Sequence, residues 1–220
     1  MKVKITWCKN DNIHVGNDAN VAALGETAYG AGRGKNDVAM LTLGTGIGGG
    51  IVADGKLIEG FHGAAGEIAH LHVFPKYEFK CNCGNSGCLE TVASATGIRN
   101  VYYKMKETFT GDSPLFKLDL PSAKAIVNAA KHNDEIALNV IDEVSKYIGY
   151  ACSVISVTTN PEVIVIGGGV SKAGEFLFDK IRKHFDLFKF SPVKSTKIIE
   201  AELGNDAGMF GAARLVINND

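Results

Sequence analysis

Nowhere in the 220 residues do as many as about 18 apolar side chains run together, so no stretch reads as a helix spanning a bilayer. The opening residues, MKVKITWCKNDN, also lack the long apolar core of a secretory signal. With neither feature the expected address is the cytoplasm. Neither sign of charge is in excess: 23 Lys and Arg stand against 24 Asp and Glu, a net charge of -1. Such a balance leaves no electrostatic footprint for nucleic acid or for an anionic membrane surface. No internal repeat or low-complexity tract is visible. Cysteine is sparse at five residues, and thiols in a reducing compartment argue against a disulfide framework.

What is present describes an ordinary globular protein, 45% hydrophobic and 21% charged. The length suits one large domain or two small ones with a real core. The 26 glycines are gathered in LGTGIGGGIVADG, GFHGAAGE, CGNSGC and IGGGVSKAG. Glycine turns beside apolar strands suggest backbone brought close to a ligand.

DANVAALGETAYGAG reads as a helix with Asp18 as N-cap. DVAMLTLG and GGGIVADGKLIEG read as strands, the second turning at Asp54-Gly55. Helices are expected around ETVASATGIRNVYYKMKET, over SAKAIVNAAKH, and over a long segment with apolar Ile136, Val140, Val144, Ile148 and Ile155, stopped at Asn160-Pro161. EVIVIGGG is a continuously apolar strand of the doubly buried kind. GEFLFDKIRKHF reads as a helix, TKIIEAEL as a strand, and DAGMFGAARLVI as a closing helix. Strands alternating with helices, with at least one hairpin, make the class α/β.

Three of the five cysteines, Cys81, Cys83 and Cys88, form a C-x-C-x4-C pattern with Gly84 and Gly87 between them. Three thiolates in a glycine-bent loop, completed by a fourth ligand, suit a closed tetrahedral zinc site. His70 and His72 are the nearby candidates, and His62 lies farther off. Cys8 and Cys152, outside the cluster, read as plain buried thiols. Glu67 lies three residues before His70, one helical turn, and Glu90 lies two past Cys88. A metal tying His70 to the loop would draw both acids into one polar pocket, although each alone reads as a solvated charge.

In LGTGIGGG, residues Gly44, Gly46 and Gly48 free backbone N–H groups to face an anion, and Thr45 adds a hydroxyl. No Gly-Lys-Ser/Thr follows, so this is not a Walker A loop, and a glycine-rich hairpin is the plainer reading. Gly167, Gly168 and Gly169 end a buried strand, where a nucleoside could lie on bare backbone or the chain could simply pass into a helix. Asp18, after Asn17, is either a helix cap or a general base for phosphoryl transfer.

The ordered series NDAN, LTLGTGIGGGIV, GAAGEIAH, CNCGNSGCLE and VIVIGGG resembles the ROK family of sugar kinases and sugar-responsive repressors, its bacterial glucokinases most nearly. The resemblance runs over nearly the whole chain beyond Ile13. It implies an actin-like, ribonuclease H-like ATPase fold with a sugar in the cleft between two lobes. The implied activity is ATP-dependent phosphorylation of the glucose 6-hydroxyl, with Asp18 as catalytic base. Asn17, Glu67, His70 and Glu90 would hold the sugar. His70, Cys81, Cys83 and Cys88 would bind structural zinc, with one imidazole nitrogen on the metal and the other toward the sugar. Gly44, Thr45, Gly46 and Gly48 would approach the phosphates of ATP, accompanied by magnesium, and Gly167, Gly168 and Gly169 the adenosine. A homo-oligomer, most simply a dimer, is implied.

Two departures stand out. Ala69 replaces the glycine usual before the histidine, and the family's Asp-x-Gly-Gly-Thr phosphate strand does not occur. The chain is therefore expected to correspond to the latter part of a ROK kinase, with 1–35 and 205–220 belonging to the small lobe and 36–204 to the large one. Its own turnover is expected to be impaired. Alternatives are an N-acetylmannosamine or N-acetylglucosamine kinase, and a sugar-binding regulator fragment without catalysis.

Overall fold

The computed structural model describes residues 16–192 and 195–217. Cys8 lies outside these residues. The centre of the fold is a five-stranded sheet whose pattern of burial follows from strand periodicity. Strand β1 (Val38–Leu43) sends Val38 and Met40 to one face and Ala39, Leu41 and Leu43 to the other. Strand β4 (Val163–Gly167) does the same with Val163 and Val165 against Ile164 and Ile166. Both faces are covered, which is why VIVIG contains no polar side chain and is buried throughout.

Strand β2 (Ile47–Ala53) returns antiparallel to β1, with Thr42 opposite Gly48, and β3 (Lys56–Leu57) pairs with β2. The turn between β2 and β3 is the expected one, with Asp54 and Gly55 at φ 51° and 70°. Strands β1 and β4 are parallel neighbours, and β5 (Lys197–Glu200) pairs parallel to β4, giving the order β3-β2-β1-β4-β5.

One face of the sheet carries α3 (Ala95–Lys106), α4 (Ala123–Lys131), α5 (Glu135–Thr159) and α6 (Glu175–Phe188) around the larger core. The expected apolar stripe of α5 is buried at all five positions. Asp134 caps its start through Ala137 N–H, and Asn160 ends it at φ 46° before Pro161. Cys152 is fully buried on α5, and burial pushes its thiol up to about 12, so it is an inert packing residue. The helix expected around residues 90–108 is broken at Ser94 into α2 (Glu90–Ala93) and α3. Ser94 accepts from Gly97 N–H while its own hydroxyl donates to Glu90 O, so it caps a new helix instead of continuing the old one.

The opposite face carries α1 (Asp18–Tyr29) and α7 (Ala207–Ile217) over a smaller core of Ala23, Leu24, Val38, Met40, Val52, Val163 and Val165. These two helices touch backbone to backbone. A Cβ on Gly211 would lie 1.7 Å from Val21 O, and one on Gly25 would lie 2.1 Å from Ala207 O. Among the described residues no helix is long and apolar enough to cross a membrane.

Candidate active site

The two glycine loops meet at the carboxyl ends of β1 and β4. Val170 N–H donates to Leu43 O at 2.9 Å, and Ser171 Oγ–H donates to Gly168 O at 2.9 Å, so the second loop is lashed to the end of β1. Ala95 N–H donates to Gly44 O at 2.8 Å and fixes the first loop to the start of α3. Packing forces some of the glycines. Gly168 has φ 93°, and a Cβ there would lie 2.5 Å from Leu43 O. A Cβ on Gly46 would meet Glu90 Oε2 at 2.4 Å, one on Gly48 would meet Thr42 Oγ1 at 2.6 Å, and one on Gly167 would touch Ala201 at 3.0 Å. Gly44 and Gly169 differ. The nearest atom to a Cβ on Gly44 is 3.8 Å away, and on Gly169 nothing lies within 4 Å. Packing does not explain their bareness, and both face open space.

That space is a cleft of about 650 Å³ lined by Asp18, Gly44, Gly46, Gly48, Gly167, Gly168 and Gly169, among others. It shares Gly44, Gly169 and Lys172 with a second cavity of about 700 Å³, whose walls include Thr45, Ala123, Val127 and Val170. One expectation about the first loop needs correcting. The N–H of Gly44 donates to Gly46 O at 2.9 Å, and that of Gly48 to Thr42 Oγ1 at 3.2 Å, so these two donors are spent within the hairpin.

The start of α1 also differs from the sequence reading. Asn17, not Asp18, is the N-cap: its Oδ1 accepts from Ala19 N–H at 2.9 Å and Asn20 N–H at 3.4 Å. Asp18 is the first helical residue, where the positive end of the helix favours a carboxylate. Its Oδ1 accepts from Ala19 N–H at 2.8 Å, and the residue is exposed on the cleft wall. With Asn17 carrying the cap, Asp18 spends one carboxylate oxygen on Ala19 N–H and lines the cleft.

The cysteine loop gathers one ligand atom each from His70, Cys81, Cys83 and Cys88, all within 4.8 Å of one another. His70 Nδ1 lies 3.6 Å from Cys81 Sγ, and Cys83 Sγ lies 3.6 Å from Cys88 Sγ. The edge of a tetrahedron built on zinc–sulfur bonds of about 2.3 Å is about 3.8 Å, so the separations suit four ligands of one ion. They are far too long for a disulfide. Gly84 and Gly87, at φ 94° and 77°, make the bends. Burial and the sulfurs of Cys83 and Cys81 push the Cys88 thiol up to about 12, whereas the backbone at Asn85 holds Cys83 below its ordinary 9.0. His72 is not in this set. Its ring packs on Gly87, where a Cβ would sit 2.3 Å from Nε2, and its Nδ1 accepts from Phe74 N–H at 3.3 Å.

His70 ends a 3-10 turn, Ile68–His70, that Glu67 precedes, with His70 N–H donating to Glu67 O at 3.1 Å. Both side chains are exposed, and neither lines the cleft that Asp18 lines. Glu90 sits one step closer. Its Oε2 accepts from Ile47 N–H at 3.0 Å, clamping the exit of the first glycine loop, and it lines a cavity of about 240 Å³ with Thr45, Gly46 and Cys81. The chemistry is thus divided. Asp18 and the glycine loops share the main cleft, the metal-type ligands form a second group, and Glu90 and Gly46 stand between them.

Sequence reasoning missed several residues of this neighbourhood. Ala123, Val127 and Lys131 on α4 line the second cavity, yet SAKAIVNAAKH reads from sequence only as a helix. Glu26 is wholly buried and accepts three backbone N–H groups, from Ala31 at 2.9 Å, Glu202 at 3.1 Å and Leu203 at 2.8 Å. A glutamate in the last turn of an alanine-rich helix carries no warning that it clasps a distant loop.

A family model described as ROK family matches residues 2–219. A glucokinase of Halalkalibacterium halodurans is 45% identical over 206 residues, covering 92% of this chain. The chain spans 62% of that relative's length. Among solved structures, a ROK family glucokinase from Streptomyces griseus in complex with glucose and AMPPNP superposes with a TM-score of 0.81 at 34% identity, over 93% of this chain and 68% of that one. A ROK family transcriptional regulator, homologous to the MLC protein of E. coli, superposes at 0.80 with 32% identity, over 92% of this chain and 51% of its own.

Proposed function

The chain belongs to the ROK family, and its fold is the actin-like ATPase fold of the ROK sugar kinases; from that premise we propose that it carries the catalytic cleft of an ATP-dependent hexose kinase acting on the 6-hydroxyl of glucose. The observation that carries this reading is the shared wall of the main cleft. One carboxylate at a helix start, Asp18, faces the same space as two glycine loops, and that space opens past Gly44 and Gly169 into a cavity with apolar walls. A hydroxyl acceptor and a nucleotide donor would meet there. The Streptomyces griseus relative was crystallised with one of each.

In this reading Asp18 takes the proton from the sugar hydroxyl as its oxygen attacks the terminal phosphorus. Asn17 spends its Oδ1 on the helix cap and keeps its amide N–H for a sugar oxygen. Glu90 spends Oε2 on Ile47 N–H and keeps Oε1 for a sugar hydroxyl. Glu67 and His70 supply the remaining sugar contacts, His70 through the nitrogen opposite the one facing Cys81. The phosphates pass Gly44, Thr45, Gly46 and Gly48, and adenosine follows Gly167, Gly168 and Gly169 into the second cavity. Magnesium bound with the nucleotide would supply charge neutralisation. Zinc held by His70, Cys81, Cys83 and Cys88 would be structural and would set the tautomer of His70. Helices α1 and α7 would be the part of the small lobe within 1–35 and 205–220, and 36–204 the large lobe, with the two helices packed on the sheet of that lobe. The address would be cytoplasmic. A dimer belongs to the same reading, for which exposed Leu187, Phe188 and Phe190 offer an apolar surface.

A non-catalytic, sugar-responsive regulator is the second reading, favoured by the superposition on the MLC homologue. Asp18 on the same wall as both glycine loops speaks for the kinase. A coupled assay with ATP and a panel of hexoses, including N-acetylated ones, separates them. The expected result is slow phosphorylation, as a chain without the Asp-x-Gly-Gly-Thr strand would give, with glucose preferred and the rate lost by about 100- to 10,000-fold in Asp18→Asn, while calorimetric glucose affinity stays within a few-fold. Turnover unchanged in Asp18→Asn, or hexose binding with no nucleotide binding, would overturn the kinase reading.

A further inference from the structure

The main cleft holds two carboxylates, Asp18 and Glu200, and one cation among its described lining residues, Lys172. A polyphosphate entering a space with those two acids meets repulsion unless a positive group stands beside its path. Among the described residues, only Gly44, Gly169 and Lys172 line both cavities. The passage from one to the other is therefore made of two bare backbone segments and one ammonium group. Open space lies where the side chains of Gly44 and Gly169 would project, so the passage is wide on the backbone side and charged on the other.

The backbone beneath Lys172 is held firmly. Lys172 sits in the 3-10 turn Ser171–Ala173. Val170 N–H donates to Leu43 O, Ser171 Oγ–H to Gly168 O, and Gly174 N–H to Ser171 O. The residue is exposed, and no ion pair engages it among the described residues. Lys35, Lys104, Lys146, Lys180 and Lys189 are each paired with a carboxylate, whereas Lys124 and Lys131, which no ion pair engages among the described residues either, line the second cavity but not the main cleft. An unpaired ammonium on a fixed turn, at the mouth between two cavities, is a point charge suited to an anion passing from one to the other.

We propose that Lys172 holds the polyphosphate of the donor nucleotide at the junction of the two cavities, neutralising charge that Asp18 and Glu200 leave uncompensated. This rests on the kinase reading and deepens it by adding a donor-binding residue outside the glycine loops. It also orients the donor. The nucleoside lies on the α4 side of Lys172, against Ala123 and Val127, and the transferred phosphoryl group lies on the Asp18 side.

Calorimetry on the full chain with ATP, ADP, adenosine and glucose tests the assignment in Lys172→Ala, Lys172→Arg and the parent protein. Lys172→Ala is expected to weaken ATP and ADP by about ten- to a hundredfold, the range for one charge-assisted hydrogen bond. Adenosine and glucose should stay within about twofold, and Lys172→Arg should restore much of the loss because the charge is kept. In Lys172→Ala the remaining ATP affinity should also depend less on salt. ATP binding equal in parent and Lys172→Ala overturns the proposal and leaves the kinase reading standing. An equal loss for adenosine reveals a merely structural role and overturns it too. A parent protein that binds glucose but no nucleotide removes both.

Discussion

Two glycines on one helix should respond to the same substitution with opposite signs. On α7, a Cβ at Gly211 would lie 1.7 Å from Val21 O, 2.6 Å from Val21 C and 3.0 Å from Gly25 N. All three are backbone atoms of α1, and none can rotate away. A Cβ at Gly208, three residues earlier, would meet nothing within 4 Å. Replacing glycine by alanine within a helix is worth about 1 kcal/mol in propensity wherever space allows. Gly208→Ala should therefore gain up to about 1 kcal/mol. In Gly211→Ala the same gain is set against overpacking, which costs about 1–3 kcal/mol and occasionally more. Rigid backbone on every side puts this site at the upper end, for a net loss of about 2 kcal/mol. For a chain of this size that lowers Tm by roughly 4–8 °C. Urea titration of the three proteins, followed by far-ultraviolet circular dichroism, reads the difference directly. Equal shifts of the two midpoints, or a stabilised Gly211→Ala, would refute the backbone contact between α1 and α7.

Glu26→Ala strands the N–H groups of Ala31, Glu202 and Leu203, and should lose about 3–5 kcal/mol in the same titration; Glu26→Gln, which keeps one carbonyl oxygen, should lose less. Elemental analysis should find one zinc per chain, absent from Cys83→Ala, together with a lower Tm on chelation; a fully folded, metal-free parent protein would contradict the four-ligand site. The backbone N–H of Asn36 and then the Lys35 ammonium hold Glu162 below its ordinary 4.5, and Arg182 does the same for Glu175. A depressed folded-state value gives stability that is present above about 4.5 and lost as pH falls through the folded value. Melting curves between pH 7 and pH 3 should therefore show an acid decline that is shallower in the double variant Glu162→Gln/Glu175→Gln than in the parent.

Much of the scaffold could be read from local pattern, because the relevant physics is local. The alternation in VAMLTL, the doubly buried VIVIG, the Asp54-Gly55 turn and the Asn160-Pro161 stop each follow from one stretch of chain. The break at Ser94 was hidden because a serine inside an apolar helical run is ambiguous until its partners are known. Asn17 and Asp18 compete for the cap of α1 for a similar reason: Asn and Asp cap equally well, and the folded backbone selects Asn17. In the site, the cysteine spacing points to His70 or His72, and the fold gathers His70 with the three sulfurs while His72 packs on Gly87. Lys172 and the α4 wall had no sequence signal, because they matter only where two loops and a helix distant in sequence converge.

The crossing of α1 and α7 has a consequence during synthesis. Gly25 leaves the ribosome roughly ten to forty seconds before Gly211 at ordinary elongation rates. Once Val165 has also emerged, for about the last two to ten seconds of that delay, the sheet face bearing Val38, Met40 and Val165 has only half of its helical cover. The nascent protein must therefore wait, with apolar strands partly uncovered, for a helix made far later. A holdase chaperone that shields that face should raise the yield of folded chain, and slowing translation before residue 207 should lower it.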